Sequence, residues 1–153
     1  MNFEEVQSEF QLRNCKIEKL KLNNDFIALP SPEELKLSIS IKNAISNIEE
    51  KNDNFLFANL KLDLEVMSEA DVNDQNIYIR ILLNGIFTFN GNDKERFTEM
   101  LLLNGNATLY SIARSHIITL SALSCVSGQI TLPMINFVKL LEMSKTENQE
   151  NME

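Results

Sequence analysis

The sequence predicts an α+β fold in which a four-stranded antiparallel sheet is followed by two or three helices. In the first 90 residues apolar side chains recur at every second position, and after Gly91 they recur at every third or fourth. The first spacing is typical of strands with one buried face, and the second of helices with one buried stripe. With 153 residues, 44% of them hydrophobic, the chain is long enough to bury a core of its own.

The strands are predicted from the alternation. Three runs alternate strictly, at 35–41, 60–66 and 77–83, and the short polar connections between them favour a meander. An earlier run at 10–22 changes phase twice. Each change would turn the apolar side chains to the other face unless an extra residue absorbed it, so we predict a bulged strand there.

The helices follow Gly91. Asn92 or Asp93 is a suitable N-cap for a short helix, and Asn104-Gly-Asn is predicted to end it. A longer helix with one apolar stripe should then run to a stop at Gly128, and a last helix is predicted to begin near Pro133. We predict one domain over 1–143 and a polar, disordered tail over 144–153.

The charge balance excludes some classes of partner. Lys and Arg number 14 against 22 Asp and Glu, a net charge of −8, and the pI is near 4.7. Such a chain is a poor binder of nucleic acid. No apolar run reaches the length of a membrane span, and the acidic start lacks the features of a signal peptide. Because Cys15 and Cys125 lie far apart, we predict free thiols in a cytoplasmic protein.

The residues give little support to catalysis. His116 is the only histidine, and neither an activated nucleophile nor metal-ligand spacing accompanies it. The glycines do not compose a phosphate-binding loop. We therefore predict no catalytic residue, no metal and no cofactor, and a protein that is not an enzyme.

Apolar side chains in predicted loops are the strongest functional signal. Phe26, Ile27 and Leu29 precede the second strand, and Leu132 and Met134 lie between the last two helices. They would either close the core or a subunit interface, or line an exposed groove for apolar peptide segments. We predict these five as client-binding residues.

Five short motifs, together with the order of the elements, resemble the SecB family of protein-export chaperones over about residues 10–142. The motifs are Phe10-Gln-Leu, Pro32-Glu-Glu-Leu-Lys-Leu-Ser-Ile, Gly85-Ile-Phe, Ala113-Arg114 and Gln129-Ile-Thr-Leu-Pro-Met-Ile-Asn-Phe. The resemblance implies a homotetramer that holds non-native polypeptides without ATP and passes exported precursors to the SecA motor.

The chain departs from the family where SecA docks. Lys19, Asn23 and Arg80 stand at positions where the family pattern has acidic residues. The reversed charges should repel a basic partner, so holdase activity is a firmer expectation than coupling to SecA. SecB-like chaperones that control toxin–antitoxin pairs suggest an alternative, in which the protein serves one client such as an antitoxin.

Overall fold

The computed structural model describes residues 8–52, 54–70 and 75–150, with side chains omitted at 52 and 144–150. It confirms an α+β fold built on an antiparallel sheet. The strands are β1 (Phe10–Asn24), β2 (Leu35–Ile45), β3 (Glu49–Asn52), β4 (Phe55–Ala70) and β5 (Asn76–Asn90). Their order is β1-β5-β4-β2, with β3 also paired to β4.

The described sheet has five strands where the sequence predicted four, because β3 forms within the stretch that was predicted to be the polar connection between the second and third strands. β2 pairs with residues 60–70 of β4 and β3 with residues 55–57, along the same side of β4. Ser46 lies at the interruption, where its amide donates to the Asn59 carbonyl at 2.9 Å and its Oγ accepts from the Asn59 amide at 2.9 Å. The predicted meander of β2, β4 and β5 is confirmed.

The two phase changes of β1 are bulges, as predicted. The pairing with β5 passes over Arg13 and Glu18, each of which is an extra residue in β1. Glu18 then accepts hydrogen bonds from Lys61 Nζ and Asn84 Nδ2, both at 2.8 Å. After each bulge the apolar side chains of β1 return to the inner face of the sheet, opposite the odd-numbered residues of β5.

A helical stretch over residues 94–124 packs against that inner face. It consists of α1 (Lys94–Met100), a π-helical segment (Leu101–Gly105) and α2 (Asn106–Ser124). The Asp93 Oδ1 caps α1 by accepting from the Arg96 amide at 2.9 Å. The prediction that Asn104-Gly-Asn ends a helix was wrong. Gly105 is helical (φ −62°), and a Cβ there would lie 2.8 Å from Leu60 Cδ2, so this glycine permits close packing.

The core lies between the helical stretch and β4 and β5. Even-numbered side chains of β4 and odd-numbered side chains of β5 are buried beneath every fourth residue of the helices. Residues four apart in an α-helix are separated by about 40° more than one full turn, so a stripe of such residues drifts around the helix. The wider π turn offsets part of this drift. The Phe87 ring stacks on Phe10 at 5.1 Å, and Phe89 stacks on Phe97 at 5.7 Å between centroids.

The C-terminal helices also differ from their predicted bounds. α2 ends at Ser124, before Gly128, and α3 spans Phe137–Glu150, so it begins after Pro133. The reason is tertiary, since residues between α2 and α3 bond to α2 as described below. The backbone of 144–150 is helical where the sequence predicted a disordered tail. Residues 151–153 lie outside the described residues, and the division into domain and tail stays a prediction.

Gly85 provides a test of the packing. A Cβ at this position would lie 2.8 Å from Phe87 Cε2 and 2.9 Å from Leu109 Cδ2. Gly85→Val should therefore destabilise the protein by about 1–3 kcal/mol through overpacking, although valine favours strands. Urea unfolding measures the loss. Ile86→Val, at a more exposed neighbour on the other face, is the control. Equal stability of the two variants would show that the helix does not press on β5.

The Glu18 bulge provides a second test. Hydrogen bonds from Lys61 and Asn84 lower the pKa of Glu18 from its ordinary value near 4.5 to about 2. The carboxylate therefore stabilises the folded state above pH 4.5, and this contribution is lost as the pH falls towards 2. We expect Lys61→Met to raise the pKa of Glu18, as measured by NMR titration of its carboxyl carbon. Lys42→Met is the control, and an unchanged pKa in Lys61→Met would contradict the assignment.

Candidate functional site

A cleft of about 290 Å³ lies at one end of the inner face. Its walls come from the loop before β2, from β2 and β4, and from the segment after α2. Most of its lining is apolar. The lining residues are Leu29, Pro30, Pro32, Leu35, Leu37, Ser68, Gly128, Gln129, Ile130 and Thr131.

Asn24, the last residue of β1, holds the loop in place. Its Nδ2 donates to the Phe26 carbonyl at 2.9 Å and to the Ser124 carbonyl at 3.0 Å. Its Oδ1 accepts from the Phe26 amide at 2.9 Å. A single half-buried amide thus joins the end of β1, the loop and the last residue of α2.

The loop pairs with the chain that leaves α2. The Val126 amide donates to the Ile27 carbonyl at 2.7 Å, and the Leu29 amide donates to the Ser127 carbonyl at 3.1 Å. Gly128 follows with φ +89°, and a Cβ there would lie 2.8 Å from Leu29 Cβ. Both the left-handed backbone and the close approach therefore require glycine.

The far wall is an extended segment bonded to one face of α2. Ser121 Oγ accepts from the Ile130 amide at 2.8 Å, Arg114 Nε donates to the Leu132 carbonyl at 2.7 Å, and Tyr110 Oη donates to the Pro133 carbonyl at 2.8 Å. Burial raises the pKa of Tyr110, which keeps this donor protonated. These three bonds hold the segment in extended form.

The five predicted residues separate into three environments. Phe26 and Leu132 are buried, at 5% and 0% exposure, so they belong to the core and do not line an exposed groove on this chain. Ile27 and Met134 are each 79% exposed but lie outside the cleft lining. Leu29 alone of the five lines the cleft. The physical reason is tertiary packing, because Phe26 and Leu132 belong to the core cluster whereas Ile27 and Met134 do not.

Sequence reasoning missed most of the cleft. Leu35 and Leu37 were predicted to face the core, and they do lie on the inner face of β2. However, β2 is an edge strand, and Leu37 is 41% exposed. The only signal that could have pointed to the cleft was the pair of prolines on either side of Ser31, Pro30 and Pro32, which limit how closely a loop can pair with a sheet.

Lys19, Asn23 and Arg80, which replace the expected acidic residues, come together on the outer face of the sheet. Arg80 of β5 pairs with Lys21 of β1, and Lys19 and Asn23 lie two residues to either side of Lys21 on the same face. Arg80 Nη2 contacts Asp63 Oδ2 at 2.6 Å, and its Nε lies 3.4 Å from Glu65 Oε1. The guanidinium lowers the pKa of Asp63. The reversed charge at Arg80 is therefore neutralised within the sheet.

The remaining chemistry is sparse. Among the described residues, no group of three or more His, Cys, Asp or Glu is arranged to hold a metal ion. Cys125 is buried and Cys15 half-buried, and both are free thiols. His116 is half-buried on α2. No helix in the described ranges is long and apolar enough to cross a membrane.

Asn24 allows the architecture of the cleft to be tested. Asn24→Ala removes two donors and one acceptor from the junction of β1, the loop and α2. We expect a loss of about 1–3 kcal/mol in unfolding free energy and faster amide hydrogen exchange at Val126 and Leu29. Asn23→Ala, at the exposed neighbouring position, is the control and should change neither the unfolding free energy nor the exchange rates. Unchanged exchange in Asn24→Ala would mean that the loop is held by other contacts.

Comparison with known proteins gave matches at the level of structure. No protein-family model matches the chain, and no curated protein matches it by sequence. The SecB-like chaperone Rv1957 of Mycobacterium tuberculosis, solved with a ChAD peptide from the antitoxin HigA1, is similar with a TM-score of 0.61 and 14% identity. The match covers 83% of this chain and 91% of the other.

A protein of unknown function from Streptococcus agalactiae is also similar, with a TM-score of 0.56 and 12% identity. That match covers 84% of this chain and 99% of the other. Identities this low establish a shared architecture, not a shared activity. The order of strands and helices and the structural likeness together show that the chain has a SecB-like fold, as the sequence motifs suggested.

Proposed function

We propose that the protein is an ATP-independent holdase that binds apolar segments of non-native polypeptides in the cleft beside β2. The observation that carries the proposal is an open apolar cleft at the edge of the sheet of a SecB-like fold. In this proposal the protein binds and releases its client without catalysis, cofactor or metal.

The surroundings of the cleft suit an extended polypeptide. β2 is an edge strand, and an edge can pair with the backbone of an added strand while nearby pockets take alternate side chains. Ile27 and Val126, both more than three-quarters exposed, add apolar surface beside the loop. Met134, whose Sδ accepts from Arg114 Nη1 at 3.1 Å, is exposed on the neighbouring segment, and methionine adapts to varied partners.

We further propose that the protein works in the cytoplasm as a homo-oligomer, with the tetramer implied by the family as the expected form. β1 and β2 are both edges of the described sheet, and Ile17 and Leu20 of β1 are more than 40% exposed on its inner face. Natural proteins usually cover such edges. Several clefts in one assembly would also strengthen the hold on a client by multivalency.

A dedicated chaperone for a single client is the second candidate. The structural neighbour Rv1957 was solved with an antitoxin peptide, and the mixed charges around Lys19, Asn23 and Arg80 disfavour docking of the SecA motor. The proposal therefore does not include coupling to protein export. Binding of unrelated apolar peptides distinguishes the two candidates. A holdase should bind them with similar affinities, whereas a dedicated chaperone should bind one far more tightly.

Leu37→Gln tests the cleft itself. Removing a half-buried contact of this size should weaken client binding by about 1 kcal/mol, or roughly fivefold per site. Aggregation of a client diluted from guanidinium, followed by light scattering without nucleotide, measures the effect. Because Leu37 is 41% exposed, the fold should tolerate the change.

Met67→Gln is the matched control. Met67 is 37% exposed and lies on the strand paired with β2, but on the opposite face of the sheet. The Met67→Gln variant should suppress aggregation as well as the unchanged protein does. If Leu37→Gln and Met67→Gln suppress aggregation equally, the client binds elsewhere, and if the unchanged protein does not suppress it, the holdase proposal fails.

A further inference from the structure

The two faces of the sheet differ in charge. The outer face, which the helices leave uncovered, carries the even-numbered side chains of β5 and the side chains that pair in register with them across the sheet. On this face the four long strands place eight Lys and Arg against four Asp and Glu, although the whole chain has 14 Lys and Arg against 22 Asp and Glu. An acidic protein therefore presents one net-basic surface.

The basic charges are densest along β1, the strand at one edge of the sheet. Lys16, Lys19 and Lys21 pair with successive outer-face residues of β5, and positions two residues apart along a strand are separated by about 7 Å. The second bulge of β1 makes this possible, because residues 16 and 19 would otherwise point to opposite faces. Arg13 joins them, since its Nε donates to Thr88 Oγ1 at 2.9 Å on the same face. These exposed residues form a basic row, composed of Arg13, Lys16, Lys19 and Lys21.

The ammonium groups of this surface are more exposed than the carboxylate beside them. Glu18 accepts from Lys61 Nζ at 2.8 Å and lies 3.5 Å from Lys16 Nζ. The Glu18 side chain is 20% exposed, whereas those of Lys16 and Lys61 are 66% and 46% exposed. One recessed carboxylate thus serves two exposed ammonium groups, and a positive charge remains for a partner to neutralise.

The other end of the basic row has still less compensation. Lys21 pairs directly with Arg80, and like charges placed opposite each other destabilise a sheet. Arg80 engages two carboxylates of β4 itself. Within the described part of the chain neither Lys19 nor Lys21 forms a salt bridge, and the Lys21 ammonium lies 5.5 Å from the centroid of the Tyr78 ring. These cations repel one another in the free protein, and an acidic partner relieves that repulsion.

A second cleft, of about 220 Å³, lies on this face beside the basic row. Its lining consists of Asn14, Lys16, Asn59, Asn84 and Ile86. An asparagine amide can present either a donor or an acceptor, but an ammonium group can only donate, so Lys16 gives the cleft a preference for an anionic group. Ile86, which is 38% exposed, adds apolar surface that the methylene groups of a glutamate can contact.

We propose that the outer face along β1 docks an acidic segment of another protein, with carboxylates on the basic row and one glutamate in the second cleft. A nucleic acid or an anionic membrane would extend beyond the basic face and meet the acidic remainder of the chain, whose net charge is −8 overall, whereas a short acidic segment does not. Exposed apolar side chains on the same face, Ile86 and Met67, suit a protein surface. The first cleft lies on the inner face, so this partner and a client can be bound together.

Fluorescence anisotropy of a short, labelled oligoglutamate peptide measures this docking on the full-length protein. We expect oligoglutamate to bind and its affinity to fall as the salt concentration rises, and an oligoglutamine peptide of equal length not to bind. The double variant Lys19→Gln, Lys21→Gln should weaken oligoglutamate binding by about three- to tenfold. Its matched control is Lys94→Gln, Lys139→Gln, which removes the same charge from exposed positions on α1 and α3 and should bind as the unchanged protein does.

Lys16→Met tests the contribution of the second cleft. This variant keeps an unbranched side chain but removes the ammonium group, and it should weaken oligoglutamate binding about two- to fivefold. Lys42→Met is the control, because Lys42 lies on the same face but on β2, outside the lining of the cleft. A smaller loss in Lys42→Met than in Lys16→Met supports binding along β1, and equal losses contradict it.

Several results would overturn the proposal. One is that oligoglutamate and oligoglutamine bind equally or that neither binds, a result that requires no variant. Another is that the double variant of the basic row binds as tightly as its control on the helices. Oligothymidylate and phosphatidylserine vesicles test the other polyanions. If either binds more tightly than oligoglutamate and depends on Lys19 and Lys21, the surface recognises phosphate and the proposal of an acidic protein fails. None of these outcomes depends on the holdase activity proposed for the first cleft.

Discussion

Contact between the inner face of the sheet and the helical stretch 94–124 is the interaction on which the rest of the structure depends. The sheet buries this face and leaves the other partly in water, so all strands must present their apolar side chains to one side. The requirement explains the two bulges of β1, which restore the phase after Arg13 and Glu18. It also explains Gly85 and Gly105, where side chains of the facing layer leave no room for a Cβ.

The helices do not cover the whole inner face of the sheet, and the clefts beside β2 lie where the helices leave that face uncovered. At one end of β2, Leu35 and Leu37 line the first cleft together with the loop before β2 and the segment after α2. Further along β2, Ile41 meets the π-helical segment and α3. The edge strand therefore has apolar side chains that the core begins to bury but does not enclose. A protein that binds apolar segments needs such surface, because side chains that are fully enclosed in a core cannot contact another molecule.

The segment between α2 and α3 shows how polar bonds position apolar surface. Ser121, Arg114 and Tyr110, on one side of α2, bond to its backbone. Held by these three bonds, the segment buries Ile130 and Leu132 and exposes Thr131 between them. Asn24 performs the same role on the opposite wall. The first cleft is thus bounded by two chain segments whose conformations are maintained by a few side-chain hydrogen bonds.

The sequence by itself determined the four long strands, the bulges, a helix cap at Asn92 or Asp93 and the α+β class, because these follow from local periodicity and turn chemistry. It could not determine which apolar residues stay exposed. Phe26 and Ile27 are equally apolar neighbours, and only packing decides that the first is buried and the second is not. Likewise, Gly105 and Asn106 have the composition of a turn, but the close approach of helix and sheet keeps them helical.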